Sequence, residues 1–246
     1  MRNGDRKAKR KAGDILFYIT GDTHGDFTRI YDFCEFTQTT QKDDVMIVLG
    51  DAGINYFLDE QDYWMKDELA LLPITLFCVH GNHEERPYNI STYVEKEWNG
   101  GSVYYEEGYP NILFAKDGEI YNLNGKRTLV IGGAYSIDKF ARIRSGRPWF
   151  ESEQPDEKVK AHVEACLKEA NWEVDFVLSH TCPRRYEPVE EFMFGVKQWL
   201  VDKKTENWLD EIADKLTYER WYFGHFHCNK IDGRARILYK DIEVFG

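Results

Sequence analysis

The sequence predicts an α/β fold, and three observations carry that expectation. Across the first half, apolar runs alternate with helical patterns in the order strand–helix–strand–helix–strand. Each of those runs ends in a glycine beside a side chain able to hold a metal ion. From Gly101 onward the texture changes to short β-rich runs separated by turn signals. At 246 residues the chain can bury a full core, and 42% hydrophobic with 15% aromatic residues argues against disorder.

The first run, Ile15-Leu16-Phe17-Tyr18-Ile19, shows no alternation and reads as a strand buried on both faces. It delivers Gly21-Asp22-Thr23-His24-Gly25-Asp26. Asp22 and His24 stand two apart, so on a continuing strand their side chains leave on one side. A carboxylate and an imidazole converging in this way suit a divalent ion of borderline hardness. Phe27, Ile30, Tyr31 and Cys34 then fall at helical spacing, with Asp26 placed to cap the helix. A second strand, Val45 to Leu49, runs into Gly50-Asp51-Ala52-Gly53. A helix is expected between Glu60 and Leu72, and a third strand, Ile74 to Val79, leads to Gly81-Asn82-His83-Glu84. Crossover units build a parallel sheet with these strand ends at one edge. Asp22, His24, Asp51, Asn82 and His83 should therefore meet.

The runs Ser102–Tyr105, Ile112–Ala115, Glu119–Leu123 and Thr128–Ile131, with turns at Tyr109-Pro110-Asn111 and Asn124-Gly125, predict antiparallel strands of a second sheet. Lys139 to Gln154, polar, basic and aromatic, reads as a loop over the site. Pro155 opens a helix whose apolar face is Val159, Val163, Cys166, Leu167 and Ala170, with His162 expected as a packed core histidine. A strand from Val174 to Leu178 delivers Ser179-His180-Thr181-Cys182-Pro183. Pro188 to Asp202 is aromatic and receives no element. Thr205 is placed to cap a helix containing Leu209, Ile212 and Leu216. Trp221-Tyr222-Phe223 then forms a strand ending in Gly224-His225-Phe226-His227, and Ala235–Tyr239 and Ile242–Phe245 close the chain as short strands.

No repeat or linker divides the chain, so residues 14–246 are expected to form a single domain. Residues 1–13 carry six Lys/Arg with no apolar stretch behind them, which predicts a disordered basic tail and not a signal peptide. The net charge of −11 sets the protein against polyanions, which disfavours extended nucleic-acid binding. Five scattered cysteines with no CxxC pair read as free thiols of a cytoplasmic protein. No run is long and apolar enough to span a bilayer.

Asp22, His24, Asp51, Asn82, His180, His225 and His227 together offer two carboxylates, one amide oxygen and four imidazoles. Taken alone, Asp22 or Asp51 is an ordinary turn or cap residue. Seven donors exceed what one four- to six-coordinate ion takes and suit two ions if Asp51 bridges them. Two such ions clamp a phosphate and make hydroxide available near neutral pH for in-line attack on phosphorus. His83, one residue beyond a ligand, is placed to give a proton to the leaving oxygen or to bind a phosphoryl oxygen.

Gly21-Asp22-Thr23-His24, Gly50-Asp51, Gly81-Asn82-His83-Glu84, His180 and Gly224-His225-Phe226-His227 resemble, in order, the motif set of the calcineurin-like metallophosphoesterases. The resemblance implies a four-layer α/β/β/α sandwich of two mixed β-sheets flanked by helices. It implies Asp22, His24, Asp51 and His227 on one ion, and Asp51, Asn82, His180 and His225 on the other. Manganese is the metal first expected, with iron or zinc next. Two groups of the phosphoprotein-phosphatase branch are missing. That branch carries Asp-Arg-Gly three residues after the bridging aspartate, whereas here the run is Asp51-Ala52-Gly53-Ile54-Asn55. Protein-phosphatase activity is therefore not expected. For a phosphate-gripping arginine the candidates are Arg86, Arg142, Arg144, Arg147, Arg184 and Arg185, of which Arg142 and Arg144 are favoured. Glu84 is read as capping the following turn, His80 as structural, and Cys182 and Cys228 as small buried side chains.

The expected function is hydrolysis of a small phosphomonoester, nucleotide or dinucleotide, with no membrane partner. A metal-dependent phosphodiesterase or nuclease using the same site is the alternative. A non-catalytic scaffold of the same fold would be marked by lost ligands, and none is missing.

Overall fold

The computed structural model describes residues 15–246; the tail expected over residues 1–13 lies outside them. The opening αβ units form as the apolar pattern predicts. Strand β1 (Phe17–Thr20) is followed by helix α1 (Thr28–Thr37), β2 (Val45–Val48), α2 (Glu60–Ala70) and β3 (Thr75–Cys78). Every residue of β1 and β2 is buried. Asp26 accepts from the Thr28 amide at the start of α1, and Asp59 accepts from the Gln61 amide at the start of α2. The three strands are parallel, with Thr20 opposite Val48 and Val48 opposite Cys78. Their following loops therefore leave at one edge.

Next come β4 (Val94–Trp98), β5 (Gly101–Tyr105), β6 (Ile112–Ala115), β7 (Ile120–Leu123) and β8 (Lys126–Ile131). The sequence places β5 to β8 in one second sheet and does not foresee β4, but the fold divides them. β6 runs parallel to β3, and β5 and β4 extend that same sheet antiparallel; with the last strand of the chain, β13 (Glu243–Val244), it has seven strands in the order β13-β1-β2-β3-β6-β5-β4. Only β7 and β8, joined by the Asn124-Gly125 turn, start the other sheet. Both turn residues have positive φ, which the tight hairpin requires.

The Lys139–Gln154 segment is not simply a loop. It contains helix α3 (Lys139–Ser145), closed by Gly146 in the left-handed conformation. Helix α4 (Glu157–Glu169) is capped by Asp156, which accepts from the Lys158 and Val159 amides. Val163 and Leu167 are its buried residues, and His162, expected in the core, is exposed. Strand β9 (Phe176–Ser179), helix α5 (Lys204–Lys215), β10 (Arg220–Phe223), β11 (Lys230–Asp232), β12 (Ala235–Ile237) and β13 (Glu243–Val244) complete the chain. Thr205 does not cap α5: it lies inside the first turn, buried, and donates to Gln154. The second sheet has the order β11-β12-β10-β9-β8-β7, with parallel pairing from β12 to β8. Strand β13 crosses to the first sheet and pairs antiparallel with β1.

Three apolar clusters show the layering. Ile19, Ile47 and Phe77 of the first sheet pack on Tyr121, Val130 and Leu178 of the second. Ile30 of α1 and Leu69 of α2 cover the outer face of the first sheet, and α4 and α5 cover that of the second. The architecture is an α/β/β/α sandwich of two mixed sheets. The two parallel cores point the C-terminal ends of β1, β2, β3, β9 and β10 toward one edge, which is where open α/β sheets keep their sites.

Candidate metal centre

The donor-bearing loops at that edge interlock at distances only glycine permits. A Cβ on Gly224 would stand 2.1 Å from Asp22 Oδ1, and one on Gly50 would stand 2.1 Å from His180 Nδ1. Four predicted donors, His24, Asp51, His225 and His227, have φ between 45° and 64°. Side chains rarely adopt that left-handed region, and such residues persist only where their surroundings hold them.

Backbone amides fix one oxygen of each carboxylate. Asp51 Oδ1 accepts from the Asn82 and His83 amides, both at 2.8 Å, and Asp22 Oδ1 accepts from the His225 amide at 2.9 Å. The other oxygens face imidazoles. Asp22 Oδ2 lies 3.4 Å from His227 Nε2 and 3.8 Å from His24 Nε2, buried and without a hydrogen bond of ordinary geometry. Asp51 Oδ2 lies 3.8 Å from both His24 Nε2 and His83 Nε2, and Asp51 Oδ1 lies 3.6 Å from His180 Nε2. Asp22, His24 and His227 form one cluster of donor atoms, all within 4.8 Å of one another, and Asp22, Asp51 and His180 form a second.

Proton assignment tests whether a cation fits. His180 Nδ1 is 2.8 Å from the Leu49 carbonyl, which only accepts, so Nδ1 carries the ring proton. Asn82 Nδ2 donates to Ser136 Oγ at 2.9 Å, so its carboxamide oxygen points the other way. His180 Nε2 then faces Asn82 Oδ1 across 2.8 Å. His24 Nε2 and His227 Nε2 likewise face each other at 2.9 Å. Lone pairs converging on buried carboxylates suit divalent cations, and imidazole-rich ligation favours transition metals.

Burial and neighbouring charges act differently on these groups. Burial pushes His225 down to about 3, with His180 adding to the shift, so its ring is neutral as a ligand must be. Burial opposes ionisation of Asp51, but His180, His83 and His24 outweigh it and hold the carboxyl low. Asp22 is lowered against the same opposition, chiefly by His227 and His180. His227 is raised by its Asp22 partner. His83 is lowered, first by burial and then by Arg142, while Asp51 pulls the other way.

All seven predicted donors and His83 thus come to one place. The arginines do not. Arg142 reaches the site, with Nη2 3.4 Å from His83 Nε2. Arg144, two residues further along α3 and about 200° around it, is exposed. Arg147 is exposed, and Arg184 and Arg185 bind Asn207 and Asp210. Arg86 is buried in an ion pair with Asp117. Glu84 does not serve as a turn cap. It is wholly buried and accepts from the Gly81 and Gly53 amides, tying the β2 and β3 loops together. His80 is buried at 2% exposure, as expected of a structural residue. Cys182 is buried and Cys228 partly so, with burial pushing both thiols up.

Sequence reasoning missed Ser136, which orients Asn82, and Arg29. The Arg29 guanidinium donates to the Gly21 and Asp22 carbonyls at 2.7 Å and braces the β1 loop. A helical arginine seven residues after a strand-end aspartate gives no signal of that contact.

Among solved structures, the chain is similar to phosphopantetheinyl hydrolase from Mycobacterium tuberculosis, at 14% identity over 92% of this chain and 88% of that one, with a TM-score of 0.44. It is also similar to a protein of unknown function, AQ665, from Aquifex aeolicus, at 15% identity over 71% and 82% and a TM-score of 0.33. A protein serine/threonine phosphatase from Saccharomyces cerevisiae aligns at 14% identity over 93% and 68%, with a TM-score of 0.34. No curated protein matches the chain. Among the described residues, no helix is long and apolar enough to cross a membrane. The family model described as calcineurin-like phosphoesterase matches residues 15–229, a span that holds every donor from Asp22 to His227. The chain belongs to the calcineurin-like phosphoesterase family, and its enzymatic class is that of a metal-dependent phosphoric ester hydrolase.

Proposed function

We propose that this edge of the sandwich holds two divalent ions sharing Asp51, manganese by preference, and hydrolyses a small phosphomonoester or nucleotide. One observation carries the reading: His180 Nε2 and Asn82 Oδ1 converge to 2.8 Å beside Asp51, with His180 Nδ1 turned to the Leu49 carbonyl and Asn82 Nδ2 to Ser136. On the other side His24 Nε2 and His227 Nε2 converge to 2.9 Å, with His227 Nε2 3.4 Å from Asp22 Oδ2. Such ions, when bound, supply a hydroxide at neutral pH and neutralise charge on the phosphoryl oxygens.

The chain's own groups do the rest. Asp22, His24, Asp51 and His227 are assigned to one ion, and Asp51, Asn82, His180 and His225 to the other. His83 is held by its amide on Asp51 Oδ1, and its ring faces Asp51 Oδ2 and Arg142. There it gives a proton to the leaving oxygen, since a phosphate dianion beside the ring favours its charged form. Arg142 donates to a phosphoryl oxygen. The net charge of −11 supports a small substrate over a long polyanion.

Elemental analysis, with chromogenic monoesters and diesters assayed in Mn²⁺, tests the proposal. Two metals per chain and faster monoester turnover are expected. Asp51→Asn should lose metal and turnover, while His83→Ala should keep metal and lose rate. Preferred diester turnover would assign a phosphodiesterase. No bound metal after reconstitution, or no hydrolysis of any ester, would refute the reading.

A further inference from the structure

The loop after Asp51 lacks the Asp-Arg pair of the phosphoprotein phosphatases, yet an arginine still reaches His83. It comes from α3, and the Asp51 loop contributes its holder instead. Arg142 Nη1 donates to Tyr56 Oη at 3.0 Å, across a sequence separation of 86 residues. Its Nε donates to Asp138 Oδ2 at 2.8 Å, four residues back and just before the start of α3. Nη1 also reaches the Pro148 carbonyl at 3.5 Å. The guanidinium carbon stands 5.7 Å from the centre of the Tyr56 ring. An arginine side chain loses substantial rotamer freedom when it is held in one place. Here that freedom is already restricted: the Arg142 side chain is only 12% exposed, and two of its three nitrogens are taken.

We infer that Tyr56 and Asp138 are positioning residues that present Arg142 Nη2, beside His83, to the substrate's phosphate. The inference rests on the phosphoesterase reading above and deepens it. Nη2 is the one nitrogen these partners leave free, and it points toward His83 Nε2. A phosphoryl oxygen entering between them accepts from both. Arg142 therefore meets phosphate end-on through Nη2, because its Nε edge is closed by Asp138. Holding the donor in place before substrate arrives reduces the entropy lost on binding.

The test titrates inorganic phosphate into metal-loaded protein by calorimetry and, separately, measures KM and kcat on a chromogenic ester. Tyr56→Phe and Asp138→Asn should each raise the phosphate Kd and KM by about five-fold, less than a directly lost charged hydrogen bond. Metal content, melting temperature and, within about two-fold, kcat should stay unchanged. On an Arg142→Ala background, both changes should have no further effect, which a merely structural role would not give. Phosphate affinity unchanged in both variants, or lost equally on the Arg142→Ala background, overturns the inference. So does wild-type protein that holds its metals and binds no phosphate. Phosphate binding is read without turnover. Failure to hydrolyse any ester would therefore refute the proposed function while the double-mutant result still judged the clamp.

Discussion

Ser136→Ala removes one hydroxyl that touches no proposed metal, and the structure allows its effect to be worked through. Ser136 and Asn82 are 1% and 2% exposed, and the bond from Asn82 Nδ2 to Ser136 Oγ is 2.9 Å. Without the hydroxyl, a buried amide N–H is left unpaired, at about 1–3 kcal/mol. The carboxamide has two ways out. It keeps its orientation at that cost, or it flips and offers its NH2 to His180 Nε2, now 2.8 Å from the amide oxygen. The flip suits metal-free protein, where it supplies the missing donor, but it turns the oxygen away from a cation. The variant thus favours the metal-free state, and affinity at the Asn82–His180–His225 position should fall about 10–100-fold, the range of lost outer-shell partners. Affinity at the His24–His227 position should hold. Chelator competition with Mn²⁺ should resolve one weakened and one unchanged ion, and hydrolysis should return at high Mn²⁺. Two ions bound as tightly as in wild type would refute the reasoning.

Gly224→Ala places its Cβ 2.1 Å from Asp22 Oδ1 and 2.9 Å from the Leu49 carbonyl, so it should cost about 3 kcal/mol or more and abolish metal binding. Gly108→Ala, with no atom within 4 Å, should change neither melting temperature nor metal content. Glu206 is 2% exposed, its Oε2 has no partner, and burial raises its carboxyl above the ordinary 4.5. The folded state therefore holds this proton more tightly than the unfolded state, and stability is lost as pH rises from about 4.5 through the folded value. Glu206→Gln should melt higher than wild type at neutral pH and lose that advantage near pH 4; a gap that does not narrow on acidification would count against this. Mn²⁺ at about a hundred times its Kd should stabilise the fold by ~2.7 kcal/mol, read as a raised melting temperature that excess chelator reverses.

The convergence of these side chains was legible because each travels with its own local geometry. A buried parallel strand, a glycine and a polar side chain form a block of about six residues, and no long-range contact is needed to recognise it. The division of strands between sheets was not legible in this way. Ile112–Ala115 and Thr128–Ile131 have similar apolar texture, and only pairing with β3 or β9 places them in different sheets. The strand Val94–Trp98 went unseen because its Val-Glu-Lys-Glu-Trp sequence is that of a charged edge, with only two of its residues even partly buried. Arg142 and Arg144 looked alike while their segment read as a loop; once it is helical, residues two apart cannot face the same point. Ser136 and Tyr56 act through side-chain contacts across the fold, at separations of 54 and 86 residues, which no spacing rule encodes.

Strain and charge at the site share one cause. Gly50 and Gly224 let the loops approach until Asp22 and His180 touch the backbone of neighbouring strands. In the same loops His24, Asp51, His225 and His227 adopt left-handed backbone, which costs of order 1 kcal/mol each. The approach also brings His180 Nε2 to 2.8 Å from Asn82 Oδ1 and His24 Nε2 to 2.9 Å from His227 Nε2. Packing can hold the backbone, because the strands behind these loops are fully buried. Packing alone does not satisfy the polar atoms that converge there; a proton or a cation does. Burial denies His225 the proton, holding it near 3, and the Leu49 carbonyl fixes the proton of His180 on the nitrogen facing away from Asn82. A cation held among these groups would draw on all of them at once, so the close approach that strains the loops should also favour metal binding.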